Sequence, residues 1–505
     1  MKKIYVLLLL VLVATSSFGQ SKKLDKITEF ELRNSGSIID KENNVNGYYF
    51  FYLIDKLKKG EAEYGIQILD NNLNEVALKK YISSKHSYLI DSKFNNESLM
   101  FAVLNSKERK INLLSFDKKA EQKGTKSFEL SKKEMQYLSI MTKSSAYSML
   151  YPVPNRGFIF NILKDNKKLG YATTFVPTDG SQEWTYGSPK DSKEFITASP
   201  IAVNEKFVVL VEAKKPGMLS SKLTISAKIL DAVTGKLIAT KEYDAKNPKL
   251  FTNAFLDGED NLVLVGEYFK ADDNVFKDKS MGLFVEVLDQ TGTTIKEKSS
   301  SWKDDIDPLL ADLNDDENYY IYFHDVIPMA NGHYYAIGEK FKKTLSAGGM
   351  ASAVLSGGRS SATQLTITDA FIFELDSDFL IKNITKFEKG KSRAPSVTDF
   401  GSPQLNAHAI AGLGGFDHEY TQIDKENDRF YACFIDYERI KGEKNKTAFK
   451  TIIYDDGEFS QDKIYLDEKG KITKVFPAKI GNVVIFEYDR KKKELNIRME
   501  KLNIN

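Results

Sequence analysis

Short apolar runs separated by turn-forming residues recur along almost the whole chain. Eight of these runs are nearly continuous in apolar character, as expected of strands that are buried on both faces of their sheet. They occupy residues 47–54, 98–104, 157–163, 206–211, 262–269, 334–341, 429–437 and 483–488. Most are followed by a second run that alternates between apolar and polar residues, with the period of a strand. The pattern predicts an all-β chain built from a repeated group of strands.

The second run of a repeat commonly ends in an apolar residue followed by aspartate. These aspartates are Asp70, Asp117, Asp231, Asp289, Asp376 and Asp455, with a degenerate copy at residues 175–177. An aspartate at this point starts a turn, because its carboxylate accepts a hydrogen bond from a backbone amide two residues on. Gly235 and Gly292 then supply the positive φ that closes the hairpin. The repeat is about fifty residues long, and its aspartates are interpreted as structural.

Radially stacked four-stranded sheets account for this repeat, because each sheet packs between two neighbours and only its outer strand meets water. We therefore predict a single β-propeller over residues 20–505, with eight blades favoured and seven as the alternative. The strands of a blade are named a to d from the axis outward, so that the apolar runs are b strands and the aspartate-terminated runs are c strands. The alternating segment 27–32 is predicted to close the ring beside the last c strand.

The predicted loops differ between the two ends of the blades. Turns from c to d are short, whereas the b-to-c and d-to-a connections carry insertions, the longest at 342–368 and 389–418. We call the end that carries them the loop-rich end, and long loops in compact domains are usually functional or disordered. The candidate binding residues on this end are Arg359, His408, Asp417, His418 and Glu419.

Known chemical motifs do not match these insertions. The segment 345–365 is rich in glycine, serine and alanine but lacks the Gly-Lys-Ser/Thr ending of a phosphate-binding loop, which favours a hairpin tip, a lid or a partner-binding loop. The histidines form no i, i+4 pair and no cluster with cysteine, so we predict neither a metal nor another cofactor. Residues 312–317 begin like a calcium loop, but Glu317 stands where glycine is required. A solvated acidic turn capping a short helix over 307–313 explains them better.

The first residues resemble a bacterial Sec-type export signal. Two lysines precede an apolar stretch over 4–14, which is shorter than the roughly 20 residues that span a bilayer as a helix. Ser17 and Gly19 then have the spacing of a signal-peptidase site, and cleavage after Gly19 would make Gln20 the first residue. No cysteine stands at that point, so a lipid anchor is not expected. The predicted location is periplasmic or extracellular.

Charge and cysteine content narrow the classes of partner. The chain has 72 basic and 70 acidic residues, and removal of the two leader lysines makes these numbers equal. A neutral chain lacks the net attraction to phosphate that drives most nonspecific nucleic-acid binding, so no nucleic-acid partner is predicted. The single cysteine, Cys433, lies in an apolar run and is interpreted as a core residue.

The Asp-turn-Gly-Lys hairpins and the predicted closing strand resemble those of secreted bacterial β-propeller proteins of unknown function, and the resemblance is one of architecture. We expect an exported, monomeric binding or scaffold module without a membrane span. It would recognise a protein or a glycan through its loop-rich end. The sequence favours a non-enzyme over an enzyme. One alternative is a hydrolase of glycans or peptides that uses Asp417 and Glu419 as acids. A purely structural envelope component is the other alternative.

Overall fold

A computed structural model describes residues 20–503, apart from 26, 31–34, 41, 143–146, 218–219, 221, 312, 314–318, 347–360, 439–445 and 467–470. The described strands form eight antiparallel sheets, seven of four strands and one of five. In seven sheets the first four strands follow one another in chain order as a meander, which is the construction of a propeller blade. The protein is an all-β propeller of eight blades, as predicted.

Two compact units carry these blades. The first comprises Met1–Lys85, Lys118–Glu121 and Leu466–Asn505. Its strands are β1 (Ser21–Leu24), β2 (Ser35–Ile39), β3 (Val45–Lys56), β4 (Glu61–Asp70), β5 (Glu75–Ser84), β31 (Lys471–Pro477), β32 (Asn482–Asp489) and β33 (Glu494–Lys501). Blade 1 is β2-β3-β4-β5, and blade 8 has the strand order β31-β32-β33-β1.

The second unit, His86–Asp117 with Gln122–Tyr465, contains blades 2 to 7. Its strands are β6 (Ser87–Phe94), β7 (Ser98–Asn105), β8 (Lys110–Asp117), β9 (Gln122–Glu129), β10 (Leu150–Val153), β11 (Gly157–Asp165), β12 (Leu169–Pro177), β13 (Trp184–Gly187), β14 (Phe195–Val203), β15 (Phe207–Lys215), β16 (Thr224–Asp231), β17 (Leu237–Tyr243), β18 (Lys249–Leu256), β19 (Leu262–Tyr268), β20 (Gly282–Leu288), β21 (Thr294–Ser301), β22 (Tyr320–Pro328), β23 (Tyr334–Leu345), β24 (Thr363–Leu375), β25 (Ile381–Phe387), β26 (Ser392–Pro395), β27 (His418–Asp424), β28 (Arg429–Glu438), β29 (Lys446–Asp455) and β30 (Glu458–Tyr465). Blade 6 is β22 to β25 with β26 added beside β24, and blade 7 is β27 to β30.

Helices are few and short. They are α1 (Lys132–Met141), α2 (Asp307–Ala311) and α3 (Pro403–Ala411), with a 3-10 turn at Lys58–Gly60 and a π-helical turn at Trp302–Ile306. Helix α2 confirms the predicted short helix as far as Ala311. Of residues 312–317, which were predicted to form the acidic turn that caps it, only Leu313 lies within the described part of the chain. Within the described part of the chain, no helix combines the length and the apolar character needed to span a bilayer.

The two strand patterns of the sequence correspond to two positions in each sheet. All eight apolar runs are second strands of their sheets, for example β7, in which every residue is buried. The aspartate-terminated runs are third strands, and outer strands such as β9 alternate between exposed and half-buried residues. A strand that is covered on both faces therefore reads as continuously apolar, whereas an outer strand does not.

The aspartate turns have the structural role that the sequence predicts. One carboxylate oxygen of Asp231 accepts hydrogen bonds from the backbone amides of Val233 (3.1 Å) and Thr234 (2.7 Å). Gly235 has φ 68° and Gly292 has φ 79°, the left-handed region that glycine tolerates best. These carboxylates hold hairpins at the end of the blades opposite the loop-rich end.

The closing strand was predicted at the wrong residues. Strand β1, at Ser21–Leu24, pairs antiparallel with β33 and completes blade 8, so a closing N-terminal strand exists beside the last c strand. Segment 27–32 does not form that strand; of its described residues, Glu29 makes a single bridge to Leu53. Ile27 and Phe30 are instead buried in the core of this unit. The apolar residues of this segment therefore reflect side-chain packing into the core rather than strand pairing.

Candidate binding site at the loop-rich end of blades 6 and 7

Both long insertions contain regular structure. In the first, β23 continues to Leu345 and β24 begins at Thr363, so the hairpin extends beyond the rest of the blade. In the second, β26 pairs with β24, and α3 begins at Pro403 with Ser402 as its N-cap. Arg359 lies outside the described residues. The second insertion is therefore a folded element that lies on blade 6 rather than an open loop.

A buried ion cluster joins this insertion to blades 6 and 7. The Lys389 ammonium lies 2.9 Å from a carboxylate oxygen of Glu339 and also contacts the Asp417 carboxylate. Ser392 donates a hydrogen bond of 2.7 Å to the same oxygen of Asp417. The backbone amides of Asp417 and His418 donate to the other Glu339 oxygen, at 3.0 and 2.9 Å. The Lys389 side chain is only 1% exposed, so this cluster is part of the core.

Two carboxylates share one ammonium here, and they titrate differently. Burial favours the neutral form of Glu339, but the Lys389 charge and the contact with His324 outweigh it and lower the pKa of Glu339 to about 2. Burial and the neighbouring Glu339 charge raise the pKa of Asp417 to about 6. Burial lowers the pKa of Lys389, but the two carboxylates more than offset this and raise it overall. The charges of the cluster therefore balance below about pH 6, where Asp417 is protonated, and above it two carboxylates share one ammonium.

Two histidines stack beside the ion cluster. The rings of His324 and His418 have centroids 4.7 Å apart and are nearly parallel. His324 lies at a β-bulge of β22, and its Nε2 is 3.0 Å from Glu339. His418 Nε2 lies 3.0 Å from the Thr421 hydroxyl, which donates to Asp325. Burial and the neighbouring His324 lower the pKa of His418 to about 4, so its ring is neutral at physiological pH.

His408 belongs to a neighbouring polar cluster. It lies on α3, and its Nε2 is 3.4 Å from Glu267 on blade 5. Ser280 donates to Glu267 and accepts from both Gln404 and Trp302, at 3.1 and 2.9 Å. The insertion is therefore fixed to blade 5 as well as to blade 7.

Beyond these clusters, the tip of the insertion presents an apolar side chain to solvent. Phe400 is 91% exposed, the highest value among the exposed large hydrophobic residues of the described chain. Its loop is fixed nonetheless, because the Lys343 ammonium donates to the carbonyls of Asp399 (2.7 Å) and Gly401 (2.8 Å). The Asp399 carboxylate accepts from the backbone amides of residues 362 and 363, at 3.0 and 2.9 Å. The backbone that carries this exposed ring is therefore held in one conformation.

Each of the two insertions contributes one further exposed apolar side chain. Leu345 and Thr363 are register partners in β23 and β24, and the amide of Ser396 donates to the Thr363 carbonyl. Leu345 is 70% exposed, and Val397, which follows Ser396, is 55% exposed. We call Leu345, Val397 and Phe400 the apolar tip.

The candidate residues from the sequence lie in this region but differ in exposure. Asp417 is buried, His408 and His418 are largely buried, and Glu419 is exposed at the bulge of β27. Phe400 and Lys389 were not identified from the sequence. The Ser-Pro pair at the start of α3 signals a helix whose N-cap, Ser402, lies two residues after Phe400. Lys389, in contrast, lies among charged residues and resembles a solvated lysine. Within the described residues, no group of three or more histidine, cysteine or acidic side chains could hold a metal ion.

Comparison with known proteins places the chain in a family without assigning an activity. A family described as "Family of unknown function (DUF6770)" matches residues 1–503, and the chain belongs to that family. No curated protein matches the sequence.

Solved structures with a similar fold include prolyl oligopeptidase B from Galerina marginata, with a TM-score of 0.42, 9% identity, and coverage of 94% of this chain and 56% of that one. Another is the quinohemoprotein alcohol dehydrogenase ADHIIG from Pseudomonas putida HK5, with a TM-score of 0.41 and 10% identity. The match covers 96% of this chain and 76% of that one. The WD40 domain of SCAP from fission yeast has a TM-score of 0.37, 7% identity, and coverage of 96% and 99%. The chain thus spans little more than half the length of the prolyl oligopeptidase, and these likenesses concern the fold alone.

Proposed function

We propose that this DUF6770 member is a binding module that anchors a protein partner through the apolar tip, with Phe400 as the anchor residue. The observation that carries the proposal is a phenylalanine that is 91% exposed on a backbone fixed by Lys343 and Asp399. Exposed aromatic surface is unfavourable in water and becomes favourable once it enters an apolar pocket. Because the loop is already ordered, binding costs little further conformational entropy.

A protein fits the tip better than a glycan does. Carbohydrate sites combine aromatic faces with polar groups that hydrogen-bond the sugar, usually within a cleft. The Lys343 ammonium, the Asp399 carboxylate and the Asn406 amide are instead engaged with backbone groups of the tip itself. What this surface offers to a partner is apolar area, which suits a hydrophobic pocket on a protein.

The hydrolase alternative receives less support from the geometry. Of its two proposed acids, Asp417 is buried and bound by Lys389 and Ser392, an arrangement that supports the fold. Glu419 is exposed one β-bulge further along the strand. We therefore keep binding as the proposed function.

The binding proposal is tested by comparing two substitutions of exposed apolar residues. Phe400→Ala removes the anchor, and Val233→Ala is the matched control, because Val233 is also exposed but lies in a c-to-d turn at the opposite end of blade 4. We expect Phe400→Ala to weaken capture of envelope proteins by the tagged full chain by about 30-fold, as for an interface hot spot. We expect Val233→Ala to behave as the wild type. Equal capture by all three proteins would refute the proposal.

We also propose that the protein is exported and functions outside the cytoplasm. The structure supports this by placing Gln20 within the fold, since its carbonyl accepts a hydrogen bond of 2.8 Å from the Met499 amide. Cleavage after Gly19 would therefore leave the closing strand β1 intact. Intact-mass measurement of the protein from its native host should give a chain that starts at Gln20. A chain that retains residues 1–19 would contradict export by this signal.

A further inference from the structure

The outer strand of blade 1 exposes three large apolar side chains. Strand β5 is ten residues long, and Val76, Leu78 and Ile82 along it are 49%, 46% and 57% exposed. The outer strand β9 of blade 2, by comparison, carries no exposed large hydrophobic residue. In the part of the chain that the structure describes, β5 pairs with β4 and with no strand on its other side. A long apolar strand at a sheet edge favours pairing with another strand.

The side chains of β5 sort onto two faces. A bulge interrupts its pairing with β4 at Val76, and beyond this bulge Leu78, Lys80 and Ile82 share one face, while Lys79 and Tyr81 share the other. Lys80 already has a counter-ion, because its ammonium lies 3.0 Å from the Glu63 carboxylate on β4. The free edge of β5 therefore presents Leu78 and Ile82 on one face, with Lys80 between them and its charge neutralised by Glu63.

We propose that β5 pairs antiparallel with β5 of a second copy of this chain, about a two-fold axis that passes through Lys80. In this register Leu78 lies opposite Ile82 of the second copy, and the pair occurs twice. Lys79 lies opposite Tyr81, where an ammonium can rest on the aromatic ring. A two-fold contact of this kind is closed: the β5 edge of each copy is paired with the other, so no β5 edge is left on which further copies could add to form a fibre.

Charge and apolar complementarity select this register over its neighbours. An axis at Lys79 would place Leu78 opposite Lys80, and an axis at Tyr81 would place Lys80 opposite Ile82, so both neighbouring registers set a lysine against an apolar side chain. Like charges directly opposite each other destabilise a strand pair, whereas apolar pairs stabilise it. With the axis at Lys80 a single like-charged pair remains, and each ammonium in it is matched by Glu63. The resulting dimer differs from the monomer expected from the sequence, where the exposure of this edge is not visible.

A single introduced cysteine tests the register directly. The chain has one native cysteine, Cys433, which is buried, so Lys80→Cys places the only exposed thiol on the proposed axis. Directly paired residues bring their Cβ atoms within the range of a disulfide. We expect Lys80→Cys to form a covalent dimer under mild oxidation at least about tenfold faster than Lys79→Cys, whose nearest thiol would lie on the diagonal. The register would be overturned if both variants cross-linked at the same rate, or if neither formed a covalent dimer.

Sedimentation of the full chain provides the second measurement, and it does not depend on oxidation. We expect a reversible dimer at about 100 μM, and we expect Ile82→Lys to raise its dissociation constant at least about tenfold. Because Ile82 is more than half exposed, this variant should fold with an unchanged unfolding temperature. A wild-type chain that stays monomeric at that concentration, or a dimer that Ile82→Lys does not weaken, would overturn the proposal.

Discussion

Replacement of Lys389 by methionine should destabilise the protein far more than loss of an ordinary ion pair. Methionine preserves most of the volume of the side chain but removes the ammonium that Glu339 and Asp417 share. Both carboxylates are almost completely buried, so water cannot take over the role of the lysine. One of them must then be protonated, or a negative charge must stay uncompensated in the core.

The expected loss is about 3–5 kcal/mol, the cost of removing one partner from a buried ion pair. The loss should be greatest above pH 6, where Asp417 is ionised in the native wild-type protein, since its pKa is raised to about 6 by burial and by the Glu339 charge. Near pH 5 the cost should shrink, because Asp417 then carries its proton even with Lys389 present. A difference of one unit between the native and unfolded pKa of Asp417 corresponds to about 1.4 kcal/mol in the free energy of unfolding.

Urea unfolding of wild type and variant at pH 7.5 and pH 5 measures both effects. Lys382→Met is the matched control, because Lys382 pairs with Asp376 at 2.8 Å on the same blade but is half exposed. Surface pairs of this kind contribute roughly 0–1 kcal/mol. The triple variant with Lys389→Met, Glu339→Gln and Asp417→Asn removes the charges together and should recover much of the loss.

Equal free energies of unfolding for Lys389→Met and Lys382→Met would refute this reasoning. It would equally be refuted if the loss caused by Lys389→Met were the same at both pH values.

Three further predictions concern the fold. The pKa of His418 is lowered to about 4, so the native state binds fewer protons than the unfolded state between pH 4 and 6.5. The free energy of unfolding should therefore rise with pH in this range, by up to about 1.4 kcal/mol per pH unit. The difference in this free energy between wild type and His418→Phe, measured by urea titration, should show the rise, and a flat difference would contradict it. Gly235→Ala should cost more than the roughly 1 kcal/mol of left-handed strain expected for Gly180→Ala, because the new methyl group would lie 2.4 Å from the Trp184 ring, whereas no described atom lies within 4 Å at Gly180; equal shifts in unfolding temperature would contradict it. Burial raises the pKa of Cys433 to about 12, so a thiol reagent should label it only as the protein unfolds, and rapid labelling of the native protein would contradict its placement in the core.

The repeat could be predicted from the sequence because its signals are local. A run such as Val483 to Phe486 is apolar throughout because its strand is covered on both faces, and Asp231 marks a turn because its carboxylate bonds to amides two and three residues away. These effects act within one hairpin, so a single sequence is enough to show them.

The candidate site could be predicted only in part, because its contacts are distant in sequence. Glu339 and Lys389 are separated by fifty residues, and nothing beside either one shows that they meet in the core. Phe400 is one of many phenylalanines, and its exposure depends on how Lys343 and Asp399 hold the loop. Loop lengths indicated the end of the blades that carries the site, whereas the residues that build it depend on tertiary contacts.

The central claim, that the apolar tip is the binding surface, is tested most directly by photo-cross-linking in intact cells. A benzophenone amino acid placed at Phe400 should yield a discrete covalent adduct with another protein on irradiation. The same probe at Val233, which is also exposed but lies at the opposite end of its blade, should not. An adduct from Val233 with none from Phe400, or the same adduct from both positions, would contradict the claim.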